Sequence, residues 1–311
     1  MVNKLSIKSL GIIFLVLLVI VAAFIIYDSS HGERSFRSSL VSIDTAKVTS
    51  ISIYPKAINH KEVRLYKEGN YWEVNLENGK TANVPYSKIQ DLFIQLLNIK
   101  PQNVAAQSAD QWKEFNVDTS GTRVKVYEGD KNTLDLTIGK FTYQQPRSMF
   151  TYVRVGGDDN VYQTIGFLDF VFNHNANYFR DDAVIKDDYL SWNKLTFTYP
   201  ADSSFQLVKT NGNWGINGAK VDSAKIANYL NSLSNMQDPN FIDNPDQSIF
   251  RKAEFTLTIQ TPKFGAINVS AFADTSNIVI TSSQYPDTYF DGKKADFWKR
   301  IFVGKNSFIK K

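Results

Sequence analysis

From Leu10 to Tyr27 the chain reads LGIIFLVLLVIVAAFIIY, eighteen residues without a charge or a proline. As a helix rising about 1.5 Å per residue, this run is roughly 27 Å long, close to the thickness of a bilayer's hydrocarbon core. A buried helix of a water-soluble domain carries at least one polar stripe, and this run has none. The run therefore reads as a membrane segment, with Leu10, Ile12, Phe14, Leu17, Ile20, Phe24 and Tyr27 facing lipid or its interface. A cleaved secretory signal is the competing reading. Such signals have an apolar stretch of about 7 to 15 residues ending in small residues. Here Ala22 and Ala23 lie inside the run, which closes on Phe24, Ile25, Ile26 and Tyr27, and this favours a retained signal-anchor. The absence of cysteine excludes lipoprotein processing.

Lys4, Lys8 and the α-amino group precede the run, whereas Asp28, His31, Glu33 and Arg34 follow it. Positive charge stays on the cytoplasmic side, so the reading is a single pass through the inner membrane with a cytoplasmic N-terminus and a periplasmic C-terminal part. The Ser-rich stretch DSSHGERSFRSS from Asp28 has no periodicity and reads as the start of a linker over 28–47.

The rest of the chain is polar enough to fold in water and long enough for one large or two smaller domains. Its 35 basic and 31 acidic residues are mixed along the chain, which gives no electrostatic footprint for nucleic acid. Without cysteine the fold must be held by packing, for which 22 Phe and 15 Tyr supply large buried areas.

Period-two alternation predicts strands over Val48–Tyr54, Val63–Tyr66, Tyr71–Asn75, Arg123–Tyr127, Thr133–Ile138, Thr151–Val155 and Val161–Thr164. Gly69, Gly129 and Gly157 fall in the hairpin turns between them. Over Pro85–Leu97 the apolar residues Ile89, Leu92, Phe93, Leu96 and Leu97 recur at helical spacing. Shorter helices are expected at Ala109–Phe115, Ile165–Asn173 and Lys294–Phe302. The fold class expected is α+β: the membrane helix, then two similar units of hairpin, helix and strands with mostly antiparallel sheets.

Two copies are expected because Leu65-Tyr-Lys-Glu-Gly-Asn-Tyr-Trp-Glu-Val-Asn75 aligns without gaps on Leu207-Val-Lys-Thr-Asn-Gly-Asn-Trp-Gly-Ile-Asn217. The following helix recurs as well, with Ile226, Tyr229, Leu230 and Leu233 continuing the stripe. The first unit is set at 48–190 and the second at 191–311, with Trp72, Ile89, Leu92 and Leu96 matched by Trp214, Ile226, Leu230 and Leu233 in the cores. Both tryptophans precede an apolar partner on a hairpin strand, so packing under the helix outweighs a sugar-stacking platform. In the second unit, strands are expected at Glu254–Ile259, Ala266–Phe272 and Asn277–Ser282.

This arrangement resembles the bacterial family of domain of unknown function 4340. The resemblance rests on the membrane helix, Gly69-Asn-Tyr-Trp-Glu-Val74, Val84-Pro-Tyr86, Leu136-Thr-Ile-Gly-Lys140, Tyr152-Val-Arg-Val155, Val161-Tyr162 and Tyr178-Phe-Arg-Asp-Asp182. It implies an accessory partner of an ABC transporter similar to the gliding-motility ones, and it brings no active site to carry over. The Phe-, Tyr-, Asn- and Lys-rich composition resembles that of a Bacteroidetes protein, which would make the outer compartment a periplasm.

The residues themselves offer little chemistry. His31, His60 and His174 lie in unrelated segments without ligand spacing, and G-x-S-x-G, G-x-x-x-x-G-K-[ST] and G-x-G-x-x-G are all missing. No catalytic, cofactor-binding or metal-binding residue is expected, and the chain reads as a non-enzyme. Asp158 and Asp159 before Asn160 read as a hairpin turn rather than a calcium loop. Asp181, Asp182, Asp187 and Asp188 beside Arg180 read as caps and surface ion pairs, with a recognition patch as the alternative. Asp238, Asp243 and Asp246 among prolines and asparagines read as turn formers. The function expected is a membrane-anchored accessory or scaffold module of an envelope complex. The first alternative is a glycan or peptide binder using Tyr143, Tyr285 or Tyr289. A hydrolase with two carboxylates brought together by folding is the other, since such a pair needs no local motif.

Overall fold

The structure, a computed structural model, describes residues 14, 16–21, 39–145, 148–216, 221–273 and 277–310. Strands β1 (Val48–Tyr54), β2 (Val63–Glu68), β3 (Tyr71–Asn75) and β4 (Thr81–Val84) precede helix α1 (Tyr86–Leu97). Strands β5 (Pro101–Ala106), β6 (Thr122–Glu128), β7 (Lys131–Gln144), β8 (Ser148–Val155) and β9 (Val161–Ile165) lead to the short helix α2 (Asp169–Phe172). Strands β10 (Ala183–Lys186), β11 (Lys194–Thr198), β12 (Phe205–Thr210) and β13 (Asn213–Gly215) come before helix α3 (Ser223–Ser234). The chain then forms β14 (Asn235–Gln237), β15 (Phe255–Thr261), β16 (Gly265–Ala273), β17 (Ile278–Ser282), β18 (Tyr285–Asp291) and helix α4 (Phe297–Ile301). Sheets dominate and the paired strands are antiparallel, with few helices. By internal contacts the chain divides into two compact units, Met1–Glu62 with Gln90–Asn173, and Val63–Ile89 with His174–Lys311.

In the first unit the strands run in the order β1-β6-β7-β8-β9-β5. Alternation settles which side chains are buried: Ile51, Ile53, Val124, Val126, Leu136, Ile138 and Val153 face inward. The hairpin glycines Gly69, Gly129 and Gly157 take positive φ, the conformation their turns require. Gly139 in β7 has a different reason. A Cβ there would stand 2.2 Å from the Phe115 carbonyl oxygen and 2.6 Å from Val117, so only glycine lets the strand pass under that loop.

The second unit holds the ribbon β4-β3-β2, the pair β10-β14 and a seven-stranded sheet in the order β13-β12-β11-β15-β16-β17-β18. Helix α3 starts where Asp222 accepts hydrogen bonds from the Ala224 and Lys225 amides, satisfying two of its orphan donors. Its buried stripe of Ile226, Leu230 and Leu233 joins one cluster with Leu195, Phe197, Phe205, Leu207, Leu257, Ile259, Val269 and the C-terminal Phe297, Ile301 and Phe308. Aromatic rings form the centre: Phe197 lies 4.3 Å from Phe205 in a stacked pair, and Tyr229 lies 5.2 Å from Phe308. Two tyrosine hydroxyls fasten the C-terminal segment, Tyr229 donating to the Ile301 carbonyl at 2.6 Å and Tyr199 to the Val303 carbonyl at 3.0 Å.

Of the residues read as the membrane segment, Leu10, Ile12, Phe24 and Tyr27 lie outside the described residues. Phe14, Leu17 and Ile20 are helical and exposed. Among the described residues no helix is long and apolar enough to cross a membrane.

Three short helices depart from expectation. Ala109–Phe115 forms a 3-10 turn at Ala109–Gln111 followed by further i→i−3 turns, and Asn116 ends them with φ 55°. The Trp112 side chain is drawn aside by its indole hydrogen bond to the Asp159 carbonyl. Over Ile165–Asn173, Ile165 stays in β9 and only Asp169–Phe172 is helical, because Gly166 at φ 117° breaks the backbone. Lys294–Phe302 is split by Ala295 and Asp296, both at φ 53°, leaving a 3-10 turn and α4.

Burial holds the Tyr199 and Tyr229 hydroxyls neutral far above the ordinary tyrosine range. An acid whose folded pKa is raised contributes stability that is complete below its unfolded value and is lost as pH climbs past it. The folded protein is therefore expected to weaken above about pH 10, by up to about 1.4 kcal/mol per pH unit for each tyrosine. Urea titrations at pH 8 to 11 will show this slope, and Tyr229→Phe will be flatter than wild type; parallel slopes would contradict the assignment.

Candidate functional site

The second unit contains a cavity of 460 Å³ whose walls come from four stretches far apart in sequence. The β3–β4 ribbon supplies Glu73, Asn78, Lys80 and Asn83, and the segment before β10 supplies Arg180 and Asp181. Ile242 and Asp243 form a third wall, and the fourth is the start of β18 with Tyr285, Asp287 and Tyr289.

Backbone hydrogen bonds assemble these walls. The Asp181 amide donates to the Asn83 carbonyl at 2.9 Å, which ties the Arg180 segment to β4. The Ile242 amide donates to the Tyr289 carbonyl at 2.9 Å, and Phe241 bridges to Phe290, so the Asp243 turn is held on β18. Gln284 exchanges two hydrogen bonds with the Lys186 backbone, fixing the turn into β18 against β10.

Arg180 is the polar centre. Only 5% of it is exposed, and its guanidinium carbon sits 3.9 Å from the centre of the Phe241 ring. One terminal nitrogen donates to the Asn177 amide oxygen at 3.2 Å and to the Asp243 carboxylate. An arginine at this depth needs such compensation, because a buried charge without a partner costs several kcal/mol. The Lys88 ammonium underlies the same segment, donating to the carbonyls of Tyr178 at 3.0 Å and Arg180 at 2.7 Å, with Asp182 3.7 Å away.

Three of the cavity's carboxylates have structural duties. Asp243 neutralises Arg180, Asp181 accepts from the Ala183 amide, and Glu73 accepts from the Tyr66 hydroxyl. Tyr285 has its phenol pushed up by burial and then by the Asp181 charge, so it presents a neutral hydroxyl to the space. Neutral hydroxyls, side-chain amides and paired charges beside two aromatic rings are suited to hydrogen-bonding a polar ligand.

Of the aspartates singled out in the sequence, the fold brings Asp181 and Asp243 to this cavity with Arg180, and with Tyr285 and Tyr289. Others serve locally. Asp187 accepts from the Trp192 indole, Asp188 caps the turn at Leu190, Asp246 caps at Ser248, and Asp238 accepts from Asn240. Tyr143 lies on β7 in the first unit, exposed. Asp158 accepts from the Asn160 amide and the Tyr162 hydroxyl inside its hairpin. His174 stacks on Tyr178 at 3.9 Å, and His31 lies outside the described residues. Lys80, Asn83 and Ile242 carry no sequence signal for a site; only the partners across the fold reveal them.

Of the core residues expected from the repeat, Trp72, Ile89, Leu92, Leu96, Ile226, Leu230 and Leu233 are buried, and Trp214 is half-buried against the second unit's core.

The family model for the domain of unknown function DUF4340 matches residues 72–253. No curated protein and no solved structure matches the chain. The family match covers more than half of the sequence, and the chain belongs to this family.

Proposed function

We propose that this DUF4340 member is a single-pass inner-membrane protein whose periplasmic part serves as a non-enzymatic accessory or scaffold for an envelope complex of ABC-transporter type. The observation that carries the reading is the helical stretch at 14 and 16–21, in which every described residue is apolar and exposed. A helix that is apolar on all sides has no face to offer water and is stable in hydrocarbon. Lys4 and Lys8 ahead of it orient the folded part outward.

The duplication expected from the sequence is a second ground for the scaffold half of the reading. In chain order, β1, the β2–β3 hairpin, α1 and the strands β6 to β9 run parallel to β11, the β12–β13 hairpin, α3 and β15 to β18, whereas β4 has no counterpart and β5 and β14 pair in different sheets. The register agrees as well: Lys67 faces Trp72 in the first hairpin as Lys209 faces Trp214 in the second. Strand β1 pairs antiparallel with β6, as β11 does with β15. Asn217, which closes the second copy of the motif, lies outside the described residues. Two copies of one sheet-and-helix plan offer docking surface rather than one reaction centre.

Mild detergent extraction followed by affinity purification of the tagged full chain is expected to bring down a permease or ATPase subunit in reproducible stoichiometry. A preparation that stays free of partners under crosslinking would count against the scaffold.

The cavity at Arg180 favours a second reading, an envelope glycan or peptide binder, because Tyr285 and Tyr289 share it with a set of amides and carboxylates. Calorimetric titration of the full chain in neutral detergent with cell-wall glycan fragments and muropeptides should then give saturable heat that Tyr285→Ala reduces at least tenfold. A flat titration removes this reading.

A further inference from the structure

The first unit carries a second cavity, of 490 Å³, on the polar face of its sheet, lined by the cations Arg123, Lys125 and Arg154 with His60 and Asp118 beside them. Register explains why these groups meet. Tyr54 pairs with Arg123, Arg123 with Thr137 and Thr137 with Arg154, so one rung crosses β1, β6, β7 and β8 with all four side chains on the same face. Lys125 stands two residues along β6 from Arg123 and therefore shares that face.

The compensation of these charges is unequal. Arg123 is held by Asp135 through a two-pronged pair, its Nε 2.7 Å from one carboxylate oxygen. Asp118 is engaged by the Ser120 hydroxyl at 2.6 Å and the Ser120 amide at 3.1 Å. Arg154 differs. Its Nε donates to the Val117 carbonyl at 3.0 Å and its guanidinium lies 3.9 Å from the centre of the Trp112 ring, which fixes its plane. Its two terminal nitrogens take no partner among the described residues, and burial is the main influence disfavouring its charge. Lys125 is half-buried and forms no ion pair among the described residues. His60, at φ 59°, has a buried Nε2 without a hydrogen-bond partner in the described structure.

The Arg154 fork and the Lys125 ammonium line one space, and neither holds a carboxylate in a hydrogen bond or ion pair among the described residues, while Asp135, Asp159 and Asp118 act on Arg154 at longer range. A carboxylate would be satisfied by the fork alone, since two parallel N–H groups match its two oxygens. Lys125 would then remain idle. A tetrahedral group with three terminal oxygens can engage both, and near pH 7 a phosphate monoester carries about −1.5 to −2 of charge to set against these two cations.

The geometry points to a phosphomonoester-binding site in this cavity, with Arg154 and Lys125 as the ligating side chains and Trp112 as the plate that orients Arg154. The group arrives on a soluble sugar phosphate or on a lipid headgroup; both present the same three oxygens. No bond is made or broken there.

The test is isothermal titration of the full chain in neutral detergent with inorganic phosphate, glucose 6-phosphate and dihexanoyl phosphatidic acid, with acetate at equal ionic strength as the control. Saturable binding of phosphate ligands and none of acetate is expected. Lys125→Gln and Arg154→Gln should each weaken it tenfold or more, while Lys305→Gln, at an exposed position of the second unit, leaves it unchanged. Preference for glucose 6-phosphate assigns a soluble ligand and preference for phosphatidic acid a lipid one; either supports the site. Absence of saturation by every phosphate ligand overturns it. So does unaltered binding in Lys125→Gln, a half-buried position whose near-ultraviolet circular dichroism is expected to match wild type.

Discussion

The burial of one sheet face under one amphipathic helix is the interaction on which the second unit rests. With no cysteine to cross-link it, the unit depends on Ile226, Leu230 and Leu233 of α3 meeting Phe197, Phe205 and Leu207 of the sheet. Fully burying a side chain of this size contributes about 1.5–3 kcal/mol, so a cluster of this extent offsets the chain entropy of ordering long loops. The C-terminal residues Phe297, Ile301 and Phe308 belong to the same cluster, which explains why the Tyr199 and Tyr229 hydroxyls reach out to hold that segment. Ordering the sheet in turn places β18 at its edge, and with it the wall of the Arg180 cavity.

Both cavities lie where apolar burial stops and backbone pairing continues, and they differ in how their charges are balanced. At Arg180 the guanidinium is closed off by Asn177, Asp243 and Phe241, and the space is walled by tyrosines, amides and charges of both signs. At Arg154 the guanidinium is stacked and braced while its terminal nitrogens stay open. The first arrangement suits uncharged polar ligands and the second an oxyanion.

What could be read beforehand follows from the range over which each signal acts. Val48–Tyr54 and Tyr71–Asn75 are legible to the residue because alternation and the flanking turn are local properties. Thr81–Val84, Pro101–Ala106 and Asn235–Gln237 lack that pattern; β5 exists because it pairs with β9, and β14 because it pairs with β10. Helix α1 was evident from its stripe, whereas the helix expected at Ala109–Phe115 gave way to 3-10 turns once Trp112 found Asp159 and Arg154. The sites were the least legible. Tyr285 and Tyr289 are readable as candidate binding aromatics, but Arg180 and Asp243 stand far apart in sequence, and their meeting is a property of the fold. The rung of Tyr54, Arg123, Thr137 and Arg154 depends equally on strand register that no local pattern encodes.

In the proposed topology a folded, cysteine-free body stands outside the cytoplasm on a single apolar helix. Because the natural chain offers no thiol, Lys305→Cys, at an exposed position, creates one label site and no background. Spheroplasts expressing this variant should react with a membrane-impermeant maleimide before lysis, and the labelled chain should stay in carbonate-washed membranes. Labelling only after lysis, or recovery of the intact chain in the soluble fraction, would contradict the account.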